Sequence, residues 1–308
     1  MSLLLVAHHR DMNPFKKAIE DVDPNIDVEI WPAVRDPKNV QFAVSWRHPK
    51  NVFANYPNLQ VISSLGAGVD HLLDDPDIPD HITFTRVVSP SLTEQMSEYI
   101  LTSVLNIQRR TQLYFEQQQK ANWETHRAYE KEDLTVGVMG IGELGRNVCS
   151  VLYKNGYRVL GWSRSKKNIN GVDTYTKNEL DDFLSKTNIL VCLLPLTDDT
   201  SGILDLDLFK KLAQPAFLIN AARGEHLVEE DLIYSLDTGL IEHATLDVFT
   251  DEPLPDFHPF WNRKKITITP HVASITKANE VAELLVENYK SLMSGQPLRF
   301  VVDRKQGY

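Results

Sequence analysis

The apolar run Thr135-Val136-Gly137-Val138-Met139 passes directly into Gly140-Ile141-Gly142-Glu143-Leu144-Gly145, and an amphipathic stretch through Val148, Val151 and Leu152 follows. This strand–turn–helix order constrains the chain more than any other feature. Gly140 permits a tight turn, Gly142 lets backbone N–H groups approach a pyrophosphate, and Gly145 lets the helix pack closely on its sheet. The helix N-terminus then favours the anion. Glycine spacing alone is a weak signal. With a second strand behind it at Arg158–Trp162, it predicts a Rossmann-type dinucleotide-binding domain in which Gly140, Ile141, Gly142, Glu143, Leu144 and Gly145 meet the cofactor.

The end of that second strand indicates which dinucleotide. NAD-specific sites usually place an acid there, about 20 residues past the motif, to hold the ribose hydroxyls. Here the strand ends in Ser163-Arg164-Ser165-Lys166-Lys167, with no acid. A hydroxyl and a guanidinium can bind a 2′-phosphate that a carboxylate would repel. NADP(H) is therefore the preferred cofactor, with NAD(H) secondary.

A chain of 308 residues suggests two domains. The net charge of −10 argues against nucleic acid as a partner. The first ninety residues alternate apolar runs, at Leu3–Ala7, Val28–Trp31, Phe42–Trp46, Leu59–Ser64 and Thr83–Val87, with helical stretches. From Leu134 a second series has runs at Thr135–Met139, Arg158–Trp162, Ile189–Leu194, Phe217–Asn220, Ala244–Phe249 and Ile266–Thr269. Both predict parallel sheets covered on two faces.

Between the two series, a long helix is expected to start near Leu92, with Ser91 and Glu94 as a capping box and Met96, Tyr99, Ile100, Val104 and Ile107 on its apolar face. A last amphipathic helix runs from about Thr276 to Ser291, and periodicity leaves open which domain it covers. Met1 to Ala7, followed by His8-His9-Arg10, reads as a strand and not as a signal peptide. No run reaches the about 18 apolar residues of a membrane helix. Cys149 and Cys192 read as buried thiols, without metal-site or disulfide spacing, and suit a reducing cytoplasm.

Three ionisable residues follow successive strands of the second series: Arg223 in Ala221-Ala222-Arg223-Gly224, Glu252 in Asp251-Glu252-Pro253, and His271 after Pro270. In open α/β sheets, ligands collect at the carboxyl ends of strands. Carbonyl reduction with a dinucleotide needs a proton as well as a hydride, and histidine is suited to supply it near neutrality. A carboxylate beside the imidazole orients it, and an arginine can take a substrate carboxylate and polarise the adjacent carbonyl. In the first domain, Gly66-Ala67-Gly68 after the strand Leu59–Ser64 could form an anion nest of backbone N–H groups.

At these residues the chain resembles the D-2-hydroxyacid dehydrogenase family over essentially its whole length. The motifs are Gly140-x-Gly142-x-x-Gly145, Asn220-Ala221-Ala222-Arg223-Gly224, Leu246-Asp247-Val248-Phe249 with Glu252-Pro253-Leu254, and Thr269-Pro270-His271. Leu65-Gly66-Ala67-Gly68-Val69-Asp70, Glu94-Gln95-Met96 and the ending Gly307-Tyr308 are similar to the bacterial glyoxylate/hydroxypyruvate reductases of the A type.

The resemblance implies two Rossmann/flavodoxin-like domains with an active-site cleft between them. Residues 1–93 with 279–308 would form a discontinuous substrate-binding domain, and residues 94–278 the dinucleotide domain. It implies that Arg223 binds substrate, Glu252 pairs with the imidazole and His271 donates the proton. Asp247 would hold the nicotinamide carboxamide, Leu194 and Pro195 the adenosine side, and Ala221 and Ala222 more of the cofactor. The backbone of Leu65, Gly66, Ala67 and Gly68 would bind the substrate carboxylate, with Trp46 completing the pocket. The expected activity is NADPH-dependent reduction of glyoxylate and hydroxypyruvate in the cytoplasm by a homodimer built around the long helix and Trp123. The alternatives are a reductase of larger 2-keto acids such as phenylpyruvate, or a dinucleotide sensor without turnover.

Overall fold

The structure is a computed structural model of the 308-residue chain and describes every residue except His9 and Tyr308. The readings of His8-His9-Arg10 and of the Gly307-Tyr308 ending therefore fall partly outside the described residues. The chain forms two compact units, Met1–Ser91 with Thr276–Tyr308, and Leu92–Ile275.

The first unit is built on β1 (Ser2–Ala7), β2 (Asp27–Ile30), β3 (Val40–Trp46), β4 (Val61–Ser64) and β5 (Thr83–Arg86), all parallel in the order β2-β1-β3-β4-β5. This is the flavodoxin-like order. Leu3 to Val6 and Phe42 to Val44 are fully buried, as expected of parallel strands covered on both faces. The helix Ala278–Ser294 belongs to this unit and packs on the helix Asn13–Val22. Its stripe of Val281, Ala282, Leu285, Val286 and Tyr289 is buried. Tyr289 packs edge-on against Phe42 and donates to the Met1 carbonyl at 3.1 Å, and Lys290 pairs with Asp23 at 2.6 Å.

The second unit contains β6 (Thr135–Met139), β7 (Arg158–Trp162), β8 (Asp173–Tyr175), β9 (Ile189–Cys192), β10 (Phe217–Asn220), β11 (His243–Leu246) and β12 (Ile266–Ile268). Their parallel order is β12-β11-β10-β9-β6-β7-β8. Side chains alternate between two cores. Val136, Val138, Ile189, Val191, Phe217 and Ile219 enter one, while Met139, Leu190, Cys192 and Leu218 enter the other. Two dry faces explain why these strands read as continuous apolar runs.

The structure departs from the expectations in three respects. The long helix runs from Pro90 to Arg109, with Pro90 as its first residue, a place where the missing N–H costs nothing. Ser91 thus lies in the first turn and is not the cap of a Ser91–Glu94 box; its side chain hydrogen-bonds Glu280. Strand β8 was not anticipated, because Asp173-Thr174-Tyr175 is too short and polar to stand out from a loop. Several strands also end earlier than expected. Ile189–Cys192, His243–Leu246 and Ile266–Ile268 stop where the chain leaves the ladder to build the turns described next.

Candidate functional site

The strand order of the second unit reverses between β6 and β9, the topological switch point where doubly wound sheets bind ligands. The glycine turn leaves β6 there. Gly140 has φ +97°, and a Cβ on it would lie 2.5 Å from the Leu193 carbonyl oxygen. A Cβ on Gly145 would lie 2.0 Å from the Gly140 oxygen, so only glycine lets the helix Glu143–Lys154 pack this near the turn. Among the described residues, apart from its chain neighbours, nothing lies within 4 Å of such a Cβ on Gly142, which leaves room for a ligand against the backbone. Among the described residues, the N–H groups of Ile141, Gly142, Glu143 and Leu144 have no intrachain partner. A cradle of open donors at a helix N-terminus fits a pyrophosphate. Across the switch point, Leu193 donates to the Met139 carbonyl at 2.8 Å. Buried Leu194 and the Pro195 carbonyl, which accepts from Thr200 at 2.7 Å, follow it.

Past β7, Ser163 donates to the Ser165 carbonyl at 2.8 Å, and Arg164 and Ser165 are exposed. The unanticipated β8 braces this turn. Thr174 donates to the Lys167 carbonyl at 2.7 Å, and Lys166 donates to the Thr174 carbonyl.

The three ionisable residues lie on neighbouring strand ends. After β10, the Asn220 amide ties the turn together, donating to the Arg223 carbonyl at 2.9 Å and accepting from the Ala222 N–H at 3.2 Å. Arg223 also donates from Nη1 to the Ala222 carbonyl at 2.6 Å. A Cβ on Gly224 would lie 2.0 Å from the Phe249 carbonyl carbon, so this glycine lets the Arg223 turn abut the loop that carries Glu252. Glu252 accepts from the Phe249 N–H at 3.0 Å through Oε1 and meets His271 Nδ1 at 2.8 Å through Oε2. Both side chains are mostly buried.

Asp247 underpins this arrangement. It is 1% exposed and grips the chain from Thr269 to Ala273. Oδ1 accepts from the Thr269 hydroxyl at 2.6 Å and the Val272 N–H at 2.9 Å, Oδ2 accepts from the Ala273 N–H at 2.9 Å, and the Asp247 carbonyl accepts from the His271 N–H at 2.8 Å. His271 itself has φ +55°, a left-handed conformation that costs a side-chain-bearing residue about 1–2 kcal/mol. Burial pushes the Asp247 carboxyl above its ordinary value, against the hydrogen bonds from Thr269, Val272 and Ala273 that favour its charge. A carboxylate has about four acceptor positions. Three are used by the protein's own loop, which leaves one on Oδ2. Tyr99 extends the network, its hydroxyl 2.7 Å from Thr269 Oγ1. Periodicity read Tyr99 only as a core residue, because an apolar pattern is blind to a phenolic hydroxyl.

In the first unit, the turn after β4 holds Leu65, Gly66, Ala67 and Gly68. The Leu65 N–H is committed to the Ser45 carbonyl at 2.9 Å, and that of Gly66 points to Ser64 Oγ at 3.3 Å. Among the described residues, the Ala67 and Gly68 N–H groups have no intrachain partner, so the nest is shorter than the four residues suggest. Trp46 lies over it: a Cβ on Gly66 would be 2.7 Å from the indole. The indole packs edge-on against His71 with ring centroids 5.2 Å apart.

Residues 101–273 match the D-isomer specific 2-hydroxyacid dehydrogenase family, in its NAD binding domain. The chain is 40% identical over 291 residues to the glyoxylate/hydroxypyruvate reductase A of Photorhabdus laumondii, covering 92% of this chain and 93% of that one. It is 39% identical to its namesake in Serratia proteamaculans over the same shares. The NADPH-dependent glyoxylate/hydroxypyruvate reductase of Sinorhizobium meliloti, solved with NADP and sulfate, has a TM-score of 0.94 at 36% identity and covers 100% of both chains. A D-isomer specific 2-hydroxyacid dehydrogenase of Xanthobacter autotrophicus, solved with NADPH and MES, has a TM-score of 0.94 at 34% identity, covering 100% of this chain and 99% of that one. With the family match spanning more than half of the chain and relatives that match nearly end to end, this chain belongs to the D-isomer specific 2-hydroxyacid dehydrogenase family.

Proposed function

We propose that this protein reduces small 2-oxo acids with NADPH, converting glyoxylate to glycolate and hydroxypyruvate to D-glycerate. The observation that carries this reading is the His271–Glu252 pair at 2.8 Å, next in the sheet to the Arg223 turn and in the same unit as the glycine cradle. The reduced nicotinamide, when bound, supplies the hydride. Arg223 binds the substrate carboxylate with its planar fork and polarises the carbonyl. With Nδ1 turned to Glu252, His271 uses Nε2 to protonate the developing alkoxide, and Glu252 fixes the tautomer that makes this possible.

The N–H groups of Ile141 to Leu144 hold the pyrophosphate, and Ser163, Arg164 and Ser165 hold the 2′-phosphate. Leu194, Pro195, Ala221 and Ala222 line the cofactor, and the remaining acceptor position of Asp247 takes the carboxamide. In the first unit, Trp46 and the Leu65–Gly68 turn, chiefly its Ala67 and Gly68 amides, take the substrate's acid group. The two units then serve as substrate and dinucleotide domains. Burial pushes both thiols, Cys149 and Cys192, up to about 12, which suits inert cysteines in a reducing cytoplasm. No helix among the described residues is long and apolar enough to cross a membrane.

The test is a rate panel of glyoxylate, hydroxypyruvate and phenylpyruvate, run separately with NADPH and NADH. Equal use of the two cofactors, or a preference for phenylpyruvate, would overturn the reading. A homodimer is part of the same proposal, supported by Phe115 at 57% and Trp123 at 97% exposure in the segment that follows the long helix. Light scattering should give twice the chain mass, and Trp123→Ala should shift it toward the monomer.

A further inference from the structure

A histidine whose backbone sits in the left-handed region needs outside support to stay there, and the support extends further than Asp247. The helix Pro90–Arg109 presents Tyr99, partly buried against the core that lies under β6, β9 and β10. Its hydroxyl lies 2.7 Å from Thr269 Oγ1, and Thr269 spends its own proton on Asp247 Oδ1 at 2.6 Å. A threonine hydroxyl has one proton to give, so Tyr99 must be the donor to Thr269. The chain of donation therefore runs one way, from Tyr99 to Thr269 to Asp247. The last of these holds the His271, Val272 and Ala273 N–H groups.

We infer that Tyr99 is a positioning residue for the proton donor: through Thr269 and Asp247 it fixes the left-handed turn on which His271 stands. This rests on the reading of His271 as the proton donor. A one-way chain of hydrogen bonds ending on a buried carboxylate strengthens each member. It also locks the Asp247 rotamer, and with it the register of residues 269–273. Burial pushes the Tyr99 phenol up to about 12, so the hydroxyl keeps its proton over the whole working pH range. The tyrosine has no reason to touch substrate or exchange protons.

The experiment compares Tyr99→Phe, Thr269→Val, their double variant, Thr269→Ser and His271→Ala, reading kcat, the KM values for glyoxylate and NADPH, and the thermal midpoint. Loss of one neutral hydrogen bond predicts a fall in kcat of about 3- to 10-fold for Tyr99→Phe, with KM for NADPH little changed. Thr269→Val should fall at least as far, and Thr269→Ser should recover most of the rate. The double variant should be no slower than Thr269→Val alone, because Tyr99 acts only through Thr269. A Tyr99→Phe enzyme with full kcat, whether or not its midpoint falls, overturns the positioning role if His271→Ala is inactive. Multiplicative losses in the double variant overturn it too. A His271→Ala enzyme at full rate instead removes the proton-donor reading, and this inference with it.

Discussion

At the scale of single side chains, the proposed mechanism divides the chemistry between Arg223 and His271, so their variants should fail differently. Arg223→Lys keeps the charge but loses the two-pronged donor. Its kcat/KM for 2-oxo acids should drop steeply while NADPH affinity holds, as measured by fluorescence titration of the nucleotide. His271→Ala should lower turnover by about 10²–10⁴, the range for a lost general acid, again with NADPH still bound. A lysine variant with normal glyoxylate turnover would show that another group holds the acid. Cofactor choice is also a matter of residues. Ser163→Asp combined with Arg164→Leu exchanges the pair proposed to hold the 2′-phosphate for one suited to ribose hydroxyls. One charge-assisted contact contributes about 1.5–3 kcal/mol. The ratio of NADPH to NADH efficiency should therefore move by roughly 10- to 150-fold toward NADH.

Between strand and helix, the glycine turn separates what the fold requires from what the ligand requires. Gly145 faces the Gly140 carbonyl, so Gly145→Ala must push the helix Glu143–Lys154 away from β6. Overpacking of this kind costs about 1–3 kcal/mol, visible as a lower thermal midpoint together with weakened NADPH binding. Gly142 has φ −75° and open space around it. Gly142→Ala should leave the midpoint almost unchanged and still weaken NADPH binding, because the methyl group would intrude on the space proposed for the pyrophosphate. If both variants bind NADPH like the parent, the turn is not the phosphate site. The closure between the helices Asn13–Val22 and Ala278–Ser294 shows a pH signature. Lys290, with the Asn25 N–H, lowers the Asp23 carboxyl to about 2. A depressed folded-state pKa contributes stability that is complete above the unfolded value, near 4, and is lost as pH falls through about 2. The midpoint of the parent should thus exceed that of Asp23→Asn at pH 6, and the gap should close between about pH 4 and 2. A gap independent of pH would mean that the pair is not the cause.

Over the whole molecule, the parallel α/β character of both halves, the glycine turn, and the residue types that follow β10, β11 and β12 were all legible in the amino-acid order. These are local properties. Unbroken apolar runs signal strands dry on both faces, and a glycine spacing can be read without knowing what lies opposite. The terminal helix was legible as an amphipathic helix, but its destination was not. Val281, Leu285 and Tyr289 form a stripe that any apolar surface could cover, and only the packing against Asn13–Val22 and Phe42 selects the first unit. Strand β8 and the Pro90 start were missed for a related reason. Three polar residues become a strand only beside β7, and a serine is a cap only if the chain before it is not already helical. The site divides in the same way. Arg223, Glu252 and His271 stood out by type and by position after strands, whereas the grip of Asp247 on residues 269–273, the hydroxyl of Tyr99 and the short reach of the Gly66–Gly68 nest were decided by tertiary structure. Hydrogen bonds between residues 22 or 170 positions apart leave no periodicity in a sequence, because their partners are chosen by the fold that brings them together.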